Sequence, residues 1–169
     1  MVAYPGWPRY DVIDLLNSYF DAISEPIARH GGEILKFIDD GLLAIFPLSE
    51  PSACANLVHA VAEARQAIAV LNERYREAGR APLNYGTGVH VGDVMYGNIG
   101  SQTRLDFTVI GPAVNMASRL ETLTKQLGRP VLLSRAFADL VEGEFDLERL
   151  GKHPVRGFND PIELFAYHG

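Results

Sequence analysis

Between Pro8 and Tyr167 the apolar residues of this chain change period again and again, and that alternation limits the fold more than any single motif. From Pro8 to Arg29, Val12, Leu15, Leu16, Tyr19, Phe20, Ile23 and Ile27 recur at intervals of three and four, the spacing of an amphipathic helix. Pro26 is expected to kink that helix or to start its last segment anew. His30-Gly31-Gly32 ends it, and two short apolar runs follow, Glu33 to Ile38 and Leu42 to Phe46, separated only by Asp39-Asp40-Gly41. These read as a tight β-hairpin with carboxylates at its tip. From Ser52 to Ala78 the period returns to that of a helix, with Leu57, Val61, Ala64, Ile68 and Leu71 as its apolar stripe and Gly79 as its stop.

The second half repeats the alternation. Strand-like runs at Leu83 to Val91 and Val94 to Tyr96 lead into Gly97-Asn98-Ile99-Gly100, read as a bend or a contact with another chain, and then into a strand at Leu105 to Ile110. A helix begins at Pro112, where proline suits the first turn, and runs to Gly128. A strand at Pro130 to Leu133, a short helix at Arg135 to Val141 and strands around Phe145 to Leu150 and Ile162 to Tyr167 complete the chain. Helices and strands interleaved in this way predict an α/β sandwich: a mixed sheet with helices covering one face. Residues 1–8 read as an irregular lead-in, and residues 9–169 as one domain without a dividing linker.

Composition narrows the function. With 169 residues, 47% of them hydrophobic, the chain has the material for a core, and its net charge of −6 argues against a general binder of nucleic acid or of membrane surfaces. The single cysteine, Cys54, cannot form an internal disulfide, and no apolar run is long enough to span a bilayer, so a cytoplasmic location without membrane contact is expected. The five histidines show no ligand-like spacing and are read as structural.

Two places invite a chemical reading. Asp-Gly is a common hairpin turn for conformational reasons alone, but the paired carboxylates Asp39 and Asp40 repel one another unless solvent or a cation screens them, and hard cations such as Mg²⁺ prefer oxygen ligands. Both the turn and the metal reading stay open on the residues themselves. Asn115 and Arg119, four apart on one helix face, join a neutral donor–acceptor to a guanidinium suited to phosphate. The segment Phe107 to Gly111 feeds a strand directly into the start of that helix, an arrangement that can approach an anion.

The stretches Gly31 to Phe46 (GGEILKFIDDGLLAIF), Tyr96 to Ser101 (YGNIGS) and Phe107 to Glu121 (FTVIGPAVNMASRLE) resemble, in order and separation, successive signatures of class III adenylyl and guanylyl cyclase catalytic domains of the bacterial type, and Val155-Arg156-Gly157 is similar to a late motif of the same family. The resemblance runs from about Asp11 to the end. It implies a ferredoxin-like class III cyclase fold and conversion of ATP to cyclic AMP and pyrophosphate, with two metal ions, Mg²⁺ or Mn²⁺, assisting in-line attack by the ribose 3′-hydroxyl. By position, Asp40 is implied as a metal ligand, Lys36 and Thr108 as adenine-binding residues, Asn115 as the ribose-orienting residue and Arg119 as the group that stabilises charge at phosphorus. Lys36 fits adenine because it can only donate and N1 accepts, and the Thr108 hydroxyl can accept from the amino group.

The resemblance further implies a head-to-tail homodimer, with sites composed from both chains, governed by an upstream or separate sensory domain. The family's first metal aspartate has no counterpart between Met1 and Trp7, which suggests a chain shortened at its start or a degenerate copy, and an isolated chain of low activity. A non-catalytic cyclase-like module for dimerisation or nucleotide sensing is the alternative. Asp39, Pro112 and Phe158 also depart from the family pattern, Phe158 standing where some members carry a phosphate-binding lysine.

Overall fold

A computed structural model describes residues 9–38 and 41–169. The lead-in at residues 1–8, and Asp39 and Asp40, lie outside the described residues. The chain divides into two compact units, residues 1–84 and 85–169.

In the first unit, α1 (Arg9–Arg29) and α2 (Ala53–Glu77) pack on each other, and β1 (Glu33–Ile38) pairs antiparallel with β2 (Gly41–Ile45). α1 continues through Pro26, whose carbonyl accepts from the His30 N–H at 3.1 Å. Among its described side chains Leu15, Ile23, Pro26 and Ile27 are buried. α2 ends as its glycine predicted: Gly79 takes φ +72° and the Gly79 and Arg80 N–H groups donate to the Arg76 and Tyr75 carbonyls, a closure that needs a left-handed residue. Its buried stripe is Ala53, Ala60, Ala64, Ile68 and Tyr75 with Val58, whereas Leu57, Val61 and Leu71 are only partly covered. The side that α2 buries is thus richer in alanine than its period indicated. Glu63 of α2 fastens the end of α1, accepting from Arg29 at 2.6 Å and lying 2.8 Å from His30 Nε2. The His30 hydrogen bond, with the nearby positive charges, holds the Glu63 carboxyl below its ordinary pKa.

In the second unit a four-stranded mixed sheet has the order β3 (Thr87–Val89), β6 (Val131–Ser134), β8 (Ile162–Tyr167), β7 (Leu147–His153), with β3 and β6 parallel and the other pairs antiparallel. β6 is buried along its whole length, and both α3 (Pro112–Leu127) and α4 (Arg135–Leu140) pack against it. β4 (Met95–Ser101) and β5 (Arg104–Ile110) form a separate antiparallel hairpin. The mixed α/β character expected of the chain is present, with its strands shared among three sheets. Two sequence expectations change in detail. Of the run Leu83 to Val91 only Thr87–Val89 is strand, because Leu83 is held instead by Asn72, whose side chain bonds both its N–H and its carbonyl. The glycine-rich segment 97–100 is not a bend but the middle of β4, where the ladder to β5 supplies pairing that outweighs weak strand propensity.

Ion pairs tie the sheet to its helices. Glu163, buried on β8, accepts from Arg135 of α4 and Arg149 of β7; burial pushes its pKa up, but the two guanidinium groups hold it below the ordinary carboxylate range. Arg129, just past α3, grips Glu148 of β7 through two hydrogen bonds of 2.9 Å, and His168 adds a third contact at 2.6 Å. The Arg129 hydrogen bonds, then that of His168, lower the Glu148 carboxyl to about 2 from its ordinary 4.5. A depressed carboxylate pKa stabilises the fold above the unfolded value, and that contribution is lost as pH falls from 4.5 toward 2. Glu148→Gln should therefore melt below the wild type at pH 7, and the gap in melting temperature should close by about pH 2; a gap that stays constant would show that the carboxylate charge contributes nothing.

Candidate active site

α3 is built to present one face. Gly111 at its N-cap has φ +151°, and a side chain there would meet the Asp93 carbonyl at 2.9 Å, so the entry to the helix requires glycine. Pro112 follows at the first position, where no backbone N–H is needed. Gly128 closes the far end with φ +62°. Between them Met116 and Leu120 pack into a cluster with Leu132, Val155, Leu164 and Ala166. The burial of these residues fixes the rotation of the helix and leaves Asn115 exposed and Arg119 half-buried, one turn apart. Neither side chain has a hydrogen-bond or ion-pair partner among the described residues. A half-buried guanidinium with no carboxylate partner among the described residues is uncommon, since charges that leave water usually find one.

Phe158, at the position where some cyclases carry lysine, packs against the same cluster from the loop between β7 and β8. It strengthens the support beneath α3 and brings no charge to its open face. Sequence reasoning did not find the contacts that hold the start of α3: a Cβ on Gly92 would lie 2.8 Å from that of Ala113, and one on Gly88 would run into the α3 backbone at Ala117 and Glu121. The signal available was the segment Gly88-Val89-His90-Val91-Gly92 itself, two glycines at the ends of a short apolar run. His90, between them, lies 2.7 Å through Nδ1 from the hydroxyl of Ser134, and burial lowers its pKa. The Ser134 oxygen also accepts from Phe137 N–H and caps α4, so its hydroxyl hydrogen is free to donate to a neutral imidazole.

The remaining site residues are distributed as follows. Lys36 lies on β1 opposite Leu43, just past an irregularity in the ladder, and is exposed. The Phe37 ring packs 4.6 Å from that of Phe20 on α1, which by strand alternation leaves Lys36 on the other face of the hairpin. Thr108 stands on β5 opposite Gly97. Asp40 is outside the described residues. Among the described residues no three His, Cys, Asp or Glu side chains are grouped to hold a metal ion, and no helix is long and apolar enough to cross a membrane. Lys36 belongs to the first unit, and Thr108, Asn115 and Arg119 to the second.

Residues 8–169 match the family described as the adenylate and guanylate cyclase catalytic domain. The chain belongs to this family, the nucleotide cyclases that the order of motifs, the fold and the open face of α3 define. It is 38% identical over 162 residues to an adenylate cyclase of Anabaena cylindrica, covering 92% of this chain and 32% of that protein. Among solved structures it resembles the adenylyl cyclase CyaB from P. aeruginosa (TM-score 0.85, 27% identity, 97% of this chain and 85% of that one) and the guanylyl cyclase Cya2 (TM-score 0.81, 27% identity, 97% and 83%). Equal identity to an adenylyl and a guanylyl enzyme defines the family without defining the base. The chain spans between 18% and 32% of the length of the first relatives it matches.

Proposed function

We propose that this chain is an adenylate cyclase catalytic domain that forms 3′,5′-cyclic AMP and pyrophosphate from ATP, the ribose 3′-oxygen attacking the α-phosphorus as the bond to the leaving pyrophosphate breaks. The observation that carries the reading is the open face of α3, where Asn115 and Arg119 stand one turn apart with no partner among the described residues. Arg119 would meet the charge that develops on the phosphoryl oxygens, and Asn115 would hold the ribose so that the 3′-oxygen lies in line. Lys36 and Thr108 favour adenine over guanine, since guanine presents donors at N1 and N2 where adenine presents one acceptor. Asp40 would contribute to binding Mg²⁺ or Mn²⁺; this rests on the family resemblance. We further propose a head-to-tail homodimer in which Asp40 of one chain works with Lys36, Thr108, Asn115 and Arg119 of its partner, controlled by a sensory segment in the same or another polypeptide.

Base choice is the part that a substitution can reverse. Lys36→Glu combined with Thr108→Cys should lower ATP turnover and raise the relative use of GTP, by about five- to a hundredfold for the matched hydrogen bonds exchanged. Competition assays with the two nucleotides would measure it, and an unchanged preference for ATP would remove Lys36 and Thr108 from the base site.

A further inference from the structure

The segment from Gly86 to Gly92 lies along α3 with glycine at three of its four alternate positions, and His90 takes the fourth. A Cβ on Gly86 would run into Thr124, one on Gly88 into the Ala117 carbonyl, and one on Gly92 would lie 2.8 Å from the Cβ of Ala113. That same point at Gly92 is 3.7 Å from Nε2 of His90, so the edge of the imidazole reaches the place where Gly92 meets the first turn of α3. The other ring nitrogen is anchored. One step past the last pair of the parallel ladder, Val89↔Leu133, Nδ1 lies 2.7 Å from the hydroxyl of Ser134, a buried residue that also caps α4. The ring therefore spans from the end of β6 to the start of the helix that carries Asn115 and Arg119.

This seat suits a neutral ring. With Nδ1 accepting from the Ser134 hydroxyl, Nε2 carries the one ring hydrogen. A second proton would put a positive charge in a half-buried place beside the N-terminal end of α3, where the aligned peptides already present partial positive charge. Of the charged groups on the surrounding elements, Asp93 on the same segment and Glu121 on α3 are exposed, and Arg135, next to Ser134, is engaged by Glu163. Burial, and no neighbouring charge, lowers the His90 pKa from its ordinary 6.5. The unfolded chain thus takes the proton more readily than the folded one, so the seat is intact above pH 6.5 and is lost as pH falls below it.

We propose that His90 is a positioning residue for the cyclase reaction: its imidazole, anchored on Ser134, seats the first turn of α3 and so sets the place of Asn115 and Arg119. This rests on the cyclase reading above and adds to it a residue that acts through the helix rather than on the nucleotide.

The test uses the whole protein with two substitutions. His90→Asn can keep the bond to Ser134 but leaves the far half of the ring's place empty; His90→Phe fills that place but can neither bond to Ser134 nor take a proton. At neutral pH His90→Asn should lower turnover about tenfold, as small displacements of reacting groups do, while equilibrium ATP binding stays near the wild-type value. The melting temperature should remain well above that of the assay. His90→Phe should also be slower than the wild type at neutral pH, and its shortfall should shrink as pH falls below 6.5, because only the wild type then loses its seat to a proton. A purely structural role would not move that ratio. Wild-type turnover in His90→Asn, or a ratio of wild type to His90→Phe that stays constant with pH, would overturn the proposal. So would ATP binding that falls as far as turnover does, which would mark a general loosening of the fold. A wild-type protein that makes cyclic nucleotide from neither ATP nor GTP would instead overturn the cyclase reading, and this inference with it.

Discussion

Arg119→Ala should reduce cyclase turnover in the whole protein by about two to three orders of magnitude, the usual cost of removing one group that stabilises transition-state charge. The melting temperature should stay close to that of the wild type, because Arg119 has no hydrogen-bond or ion-pair partner among the described residues to lose. Lysine at the same position should recover only part of the activity, since a point charge cannot replace a planar fork of donors. The composite-site proposal adds a sharper test. Mixed with Asp40→Ala subunits, Arg119→Ala subunits should regain activity, because each heterodimer then carries one site in which both groups are intact. Heterodimers that form yet stay inactive would exclude a site shared between chains, whereas unchanged turnover in Arg119→Ala alone would remove that residue from the chemistry.

Gly88→Ala should show the opposite signature, a loss of stability from a single methyl group. A Cβ there collides with the carbonyl of Ala117, the amide of Glu121 and the side chain of Leu120; two of these are helix backbone, which cannot turn aside as a flexible side chain would. The strand or the whole of α3 must move. Overpacking of this kind costs about 3 kcal/mol at its upper range, and denaturant unfolding would measure it. Because α3 carries Asn115 and Arg119, nucleotide binding should weaken together with the fold. Equal stability of Gly88→Ala and wild type would mean that α3 does not rest on β3 as closely as described.

Much of this architecture could be read along the chain. The limits of α2 and α3 followed from helical period and from Gly79 and Gly128, whose left-handed backbones end helices for local reasons. Strands β1, β2 and β8 followed from short apolar runs between turn residues, and Asn115 and Arg119 share a helix face because their spacing of four makes it so. These features depend on neighbours within a few residues, so sequence determines them. The adenylate and guanylate cyclase family was legible for a different reason, the order and separation of three motifs.

What needed the tertiary structure depends on partners far along the chain. The shortness of β3 reflects the grip of Asn72 on Leu83, and the strand at Gly97 to Gly100 forms because β5 offers it a ladder. Tertiary packing decides which side of α2 is buried: Ala64 and Ile68 of the expected stripe are buried, whereas Leu57, Val61 and Leu71 are only partly covered. Phe158 reads as a departure from a family pattern, and only the packed core shows it bracing α3. The glycines divide in the same way: Gly79 is explained by its own backbone, whereas Gly88 is explained by a helix some thirty residues later, because the energy of a close approach belongs to two surfaces and neither segment alone encodes it.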